Sequence, residues 1–86
     1  EYGNNIDFRL FPNPANDLIN VSVTVKDPGM YTLEITDLLG KKVIEQEVFA
    51  NSVYSGTFDV SALNNGVYIA HMYNRNSSVK QKLVVR

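Results

Sequence analysis

Ile19-Asn20-Val21-Ser22-Val23-Thr24-Val25 is the stretch on which the fold class turns. Its odd positions are aliphatic and β-branched and its even positions polar, the period-two signature of a strand with one buried face. Asp27-Pro28-Gly29 follows as a turn, in which Pro presets φ and Gly accepts φ > 0. Tyr31, Leu33 and Ile35 then resume the alternation against Thr32, Glu34 and Thr36.

Working outward, the same pattern recurs and no helical stripe interrupts it. Asp37-Leu38-Leu39-Gly40 reads as a tight connection into a strand over residues 41–50. The alternation of that strand breaks at Glu45-Gln46-Glu47, as an edge position or a bulge would allow. Asn51-Ser52 turns the chain; Tyr54, Gly56, Phe58 and Val60 alternate with Ser55, Thr57 and Asp59; and residues 61–65 form a polar crossing ending in Asn65-Gly66. Residues 67–73 and 79–85 read as further strands around an Asn74 to Ser77 turn, and residues 8–11 as a short strand before Pro12. Seven short strands with turn signals about every ten residues predict an all-β fold, a seven-stranded antiparallel two-sheet sandwich of immunoglobulin-like architecture. The Cys, Trp, Cys hallmark of antibody domains is absent, since the chain has neither residue.

Composition narrows the function classes. The 86 residues are 44% hydrophobic and 20% charged, enough apolar matter for one small packed domain. A net charge of -1 leaves no basic excess to hold a phosphate backbone. With no cysteine there is no disulfide, thiolate metal site or Cys nucleophile. The longest aliphatic or aromatic run, Val67 to Ala70, is far short of the ~20 residues of a membrane span. The sequence opens at Glu1 without a basic or apolar leader, so it reads as a piece of something longer, with any signal peptide outside it.

Catalysis finds no constellation to carry it. The sole histidine, His71, lies within Ile69-Ala70-His71-Met72-Tyr73 and reads as an ordinary strand residue, and no Gly-x-Ser-x-Gly elbow is present. Asp7, Asp17, Asp27, Asp37 and Asp59 each stand alone beside a turn or strand end, which suits neither a glycosidase pair nor an EF-hand loop. The chain is expected to be no enzyme and to need no metal or cofactor.

Four motifs in series do carry a resemblance. Phe11-Pro12-Asn13-Pro14-Ala15-Asn16-Asp17, then Ile35-Thr36-Asp37-Leu38-Leu39-Gly40-Lys41-Lys42-Val43, then Leu63-Asn64-Asn65-Gly66-Val67-Tyr68, and finally Lys82-Leu83-Val84-Val85-Arg86 follow one another at characteristic spacing. In this order the chain resembles the type A C-terminal sorting domain of the type IX (Por) secretion system. The resemblance covers about residues 8–86 and leaves residues 1–7 as the end of a linker from an N-terminal passenger domain. It implies a secretion signal that takes a larger protein of a Gram-negative bacterium from the periplasm across the outer membrane to the cell surface or beyond. Its implied partners are an outer-membrane β-barrel shuttle, a translocon and a sortase-like cysteine protease that removes the domain. It implies no nucleic acid and no small-molecule substrate.

Each motif also has a plain structural reading. Pro12, Asn13 and Pro14 make either a rigid, non-pairing lead-in to the next strand or a recognition knuckle. Asp37 accepts from backbone N–H groups two or three residues on while Gly40 takes a φ > 0 position. Gly66 sits in a hairpin-type Asn-Gly turn, and Tyr68 enters a strand in the manner of a tyrosine corner. Lys82, Leu83, Val84, Val85 and Arg86 form a final strand whose Lys80, Lys82 and Arg86 share one face. That cationic, partly unpaired edge serves either protection or docking by strand addition. Through the resemblance, the terminal segment and the Pro12-Asn13-Pro14 segment are the expected partner-binding residues. Arg86 stands where Lys is more usual, keeping charge but changing donor geometry.

A second function class is an accessory carbohydrate-binding or fibronectin-like module of a secreted enzyme. Against it, sugar platforms present coplanar aromatics, whereas Tyr2, Tyr31, Tyr54, Tyr68 and Tyr73 mostly fall at alternation positions that suit a core or a sheet face.

Overall fold

The alternating segments close into two antiparallel sheets. The computed structural model describes residues 6–86. Its strands are β1 (Ile6–Phe11), β2 (Leu18–Val25), β3 (Gly29–Asp37), β4 (Lys42–Ala50), β5 (Val53–Asp59), β6 (Gly66–Tyr73) and β7 (Ser78–Val85). One sheet has the order β1-β2-β5 and the other β4-β3-β6-β7. This is the seven-stranded all-β sandwich that the periodicity predicts. The first strand starts two residues earlier than the sequence reading had it, because Ile6 and Asp7 pair with Val25 and Thr24. Tyr2 and the first five residues of the expected linker lie outside the described residues.

The core is built from the inward half of each alternation. Ile6, Phe8, Leu10, Ile19, Val21, Val23 and Val25 from the three-stranded sheet meet Tyr31, Leu33, Ile35, Tyr68, Ala70, Met72 and Leu83 from the other. Because the side-chain period of a strand is two, a one-residue slip of β2 would turn four aliphatic side chains to water, and this holds the register. At Glu45-Gln46-Glu47 the alternation fails because β4 is an edge strand, where even the core-side Gln46 is exposed. The register shift of that pair lies elsewhere, between Ile35 and Thr36, opposite Ile44 and Lys42.

β3 and β6 are central neighbours, and they begin alike. Each opens Gly-x-Tyr: Gly29-Met30-Tyr31 and Gly66-Val67-Tyr68. In each, the buried tyrosine donates its hydroxyl to the carbonyl four residues upstream, Tyr31 to Asp27 and Tyr68 to Asn64, both at 2.7 Å. The sandwich therefore has two tyrosine corners, and the ring of each fills core while its hydroxyl ties down the incoming loop. Only the second was expected from the sequence.

Asn65-Gly66 is not the hairpin-type turn that its dipeptide suggests. β5 and β6 belong to different sheets, so the chain must cross the sandwich rather than fold back beside itself. Gly66 is the first residue of β6 and pairs with Val85. Its φ of 159° is close to extended, and nothing lies within 4 Å of where a Cβ would stand.

Removing a corner hydroxyl leaves a loop carbonyl without its partner, so Tyr31→Phe and Tyr68→Phe should each lower stability by about 1 kcal/mol. Tyr68→Ala, which also empties core volume, should cost about 3–5 kcal/mol. Urea unfolding of the three variants checks the ranking, and a Tyr68→Phe as destabilising as Tyr68→Ala would show that the hydroxyl, not the ring, carries the effect.

Candidate functional site

Two of the four motifs, 69 residues apart in sequence, meet at one place. The Asn13 amide donates from Nδ2 to the Lys82 carbonyl at 2.8 Å and accepts at Oδ1 from the Val84 N–H at 3.0 Å. Next to it, Ala15 N–H donates to the Val84 carbonyl at 2.7 Å, and Arg86 N–H donates to the Ala15 carbonyl at 2.8 Å. The side chain of Asn13 thus stands in for a strand backbone, and Ala15 continues the imitation with a parallel bridge to Val85. Pro12 and Pro14 on either side hold the segment out of regular pairing, and both of their preceding peptide bonds are cis.

This geometry refines the sequence reading in three respects. The Pro12-Asn13-Pro14 segment stays out of regular backbone pairing, as a rigid lead-in does, and in addition Asn13 bonds to β7 through both ends of its amide. The outer edge of β7 is covered over residues 82–86, so strand addition there would first have to displace the clip. Leu83 and Val85 are buried in the core, which leaves Lys82, Val84 and Arg86 as the accessible members of the terminal motif. Lys80, Lys82 and Val84 project from the outer face of the four-stranded sheet, and Arg86 is exposed just beyond it.

The two turn motifs have local roles. The Asp37 carboxylate accepts from the N–H groups of Leu39 and Lys41, both at 2.9 Å, and its backbone N–H donates to the Lys41 carbonyl. Gly40 takes φ 91°, a left-handed conformation that a Cβ would strain. Leu38 and Leu39 at the tip are exposed.

The outer face of the four-stranded sheet carries a polar network that sequence reading missed. Glu34, buried although charged, accepts from the Tyr73 hydroxyl at 2.6 Å and lies 3.2 Å from Lys42 Nζ, which also reaches Glu45 at 3.4 Å. His71 stacks on Tyr73 with centroids 4.4 Å apart and shares a 2.7 Å hydrogen bond with Ser78. Register explains the gathering: Glu34 is opposite both Glu45 and His71, and His71 is opposite Lys80. Glu45 and Glu47 stand with Lys42 on the β4 side of the face, and Lys80 and Lys82 on the β7 side. On the other sheet, Phe11, Asn20, Ser22, Ser55 and Thr57 line a shallow depression of about 280 Å³, which has a single aromatic wall.

The network has a pH signature. The Tyr73 hydroxyl, with Lys42, holds the Glu34 carboxyl below its ordinary value of 4.5. Partial burial, then repulsion from Lys80, holds His71 below its ordinary 6.5 against a smaller pull from Glu34. Both groups bind protons less readily when folded, so each contributes stability that is present above its ordinary value and lost as pH falls through the folded one. Melting temperature should therefore decline in two legs, the first starting near pH 6.5 from His71 and the second near pH 4.5 from Glu34. His71→Gln should flatten the first leg and leave the second.

The fold has counterparts among known proteins. No curated protein matches the chain. Among solved structures, the crystal structure of dimeric latent PorU from Porphyromonas gingivalis is similar in fold, with a TM-score of 0.71 at 21% identity. The likeness covers 93% of this chain and 9% of that chain, so the chain spans under a tenth of the larger protein's length. A family model described as the secretion system C-terminal sorting domain matches residues 9–86. A sorting domain of this kind is not itself catalytic, and it implies a passenger, a secretion machinery and export toward the outer membrane or cell surface. With nearly its whole length matched, the chain belongs to the type IX secretion system family of C-terminal sorting domains.

Proposed function

We propose that residues 8–86 are the address label of a larger passenger, and that the label is read on the accessible side chains of the clipped terminus. The observation that supports this most directly is the junction of Asn13 with Lys82 and Val84. It joins the Pro12-Asn13-Pro14 segment and the terminal motif into one surface, on which Lys82, Val84 and Arg86 stand beside Pro12, Asn13 and Pro14. A partner meeting this surface finds cationic side chains around a small apolar centre, on backbone groups already bonded.

On this reading an outer-membrane β-barrel shuttle binds the folded domain, a translocon passes the passenger, and a sortase-like cysteine protease separates the two at the surface. The domain itself performs no chemistry. The passenger's activity is its own.

A secreted reporter fused ahead of residues 1–86 should reach the surface of a bacterium carrying the type IX system. Lys82→Ala with Arg86→Ala should hold the reporter in the periplasm. Both side chains are exposed, so the double variant should change stability by no more than about 0.5 kcal/mol per site. A folded double variant exported at the wild-type rate would refute recognition at the charged terminus.

A further inference from the structure

A two-sheet sandwich has four edge strands, here β1 and β5 on one sheet and β4 and β7 on the other. Three of them are guarded. β7 is clipped by Asn13 and Ala15. β1 carries the Asp7 and Arg9 pair, ends at Pro12, and has its Phe8 carbonyl occupied by the Gln81 side chain. β4 has a register shift and the charges of Lys42, Glu45 and Glu47. Natural edges are blunted by such charges, prolines, bulges and covers.

β5 is the least guarded: its charge is confined to Asp59 at its last position, and its one cover among the described residues is the bridge from Asn51 to Val53. From Val53 to Phe58 it holds no charge and no proline, and its register with β2 is unbroken. Val25 N–H donates to the Ser52 carbonyl and Val60 N–H to the Asp17 carbonyl. Carried along the register, that alternation points residues 54, 56 and 58 at β2 and points the N–H and C=O of Ser55 and Thr57 away from it. Among the described residues neither has a backbone partner on that side.

The strand is also self-complementary. In an antiparallel pair centred on Gly56, Ser55 falls opposite the second copy's Thr57, Tyr54 opposite its Phe58, and Val53 opposite its Asp59. No like charges oppose each other. Tyr54 and Phe58 face the core yet stay half exposed, because the sheet stops at β5. The Tyr54 ring lies across Gly56, where a Cβ would collide with it, so the middle of the edge carries no bulk of its own.

We propose that β5 is a homotypic docking edge: two copies of this domain pair antiparallel through residues 53–59 about Gly56, making one continuous six-stranded sheet in the order β1-β2-β5-β5-β2-β1. The contact is isologous, with a two-fold axis through Gly56. It bonds the open N–H and C=O groups of Ser55 and Thr57 and places an aromatic pair over each half of the joint core edge. The proposal does not rest on the sorting function.

Sedimentation equilibrium of the 86-residue chain should show a reversible monomer to dimer equilibrium. Ser55→Lys with Thr57→Lys sets lysine against lysine and should weaken the dimer at least about tenfold. Ser55→Glu with Thr57→Glu should do the same, and mixing the two double variants should restore dimerisation as a heterodimer. Both positions are exposed, so all variants should stay folded by circular dichroism. Register is tested separately, since the chain has no other cysteine. A mixture of Ser55→Cys and Thr57→Cys chains should oxidise to a disulfide heterodimer faster than either variant forms its own homodimer. A chain that stays monomeric at every concentration overturns the proposal. So does a dimer indifferent to the charge variants, or one whose cysteine pairs show no preference.

Discussion

Every backbone N–H and C=O on the outer side of an edge strand must find water or a partner, and a sandwich with no disulfide depends on how that requirement is met. Here the terminal strand would be the weakest point. β7 contributes Leu83 and Val85 to the core, and fraying it would open the interior. Asn13 counters this by offering one acceptor and one donor at the spacing of a strand, and the Ala15 backbone offers another of each, so a short segment stands in for an eighth strand. The two prolines around Asn13 keep the rest of the segment from extending into a sheet that others could join.

On the proposed reading, that arrangement ties stability to recognition. The clip faces β7 from one side and leaves the outward side chains Lys82, Val84 and Arg86 free on the other. A label read on those side chains is presented only by a chain that has folded far enough to bring residue 13 to residue 82. Recognition by backbone addition would need that same clip removed.

The outer face of the four-stranded sheet obeys a different constraint. Glu34 is nearly buried with its charge, which is tolerable because Tyr73 and Lys42 both approach it. The face carries Lys42, Glu45 and Glu47 on β4 and Lys80 and Lys82 on β7, and register sets which of these charges adjoin. Residues far apart in sequence are set side by side across four strands.

Much of the fold was legible because strand burial has a period of two, and Ile19, Val21, Val23 and Val25 display it without ambiguity. The sequence points to the tyrosine corner at Tyr68 alone; the one at Tyr31 follows the same Gly-x-Tyr string, whose repetition is the signal that could have found it. Asn65-Gly66 misled, since the dipeptide encodes a local preference while the connection it serves crosses between sheets. The terminal motif was visible as a string, but its burial was not: Leu83 and Val85 face the core whereas Val84 faces out, and which of two faces is covered depends on the opposing sheet. Local pattern therefore carries the seven strands, the alternation within most of them, most of the turns and a family likeness, all properties of neighbours along the chain. Tertiary structure alone decided that Asn13 covers the edge of β7, that Glu34 meets Tyr73 and Lys42, and that β5 is left open. Those contacts join residues up to 71 apart, and hydrogen-bond geometry between such residues is set by how the sheets stack rather than by any local preference.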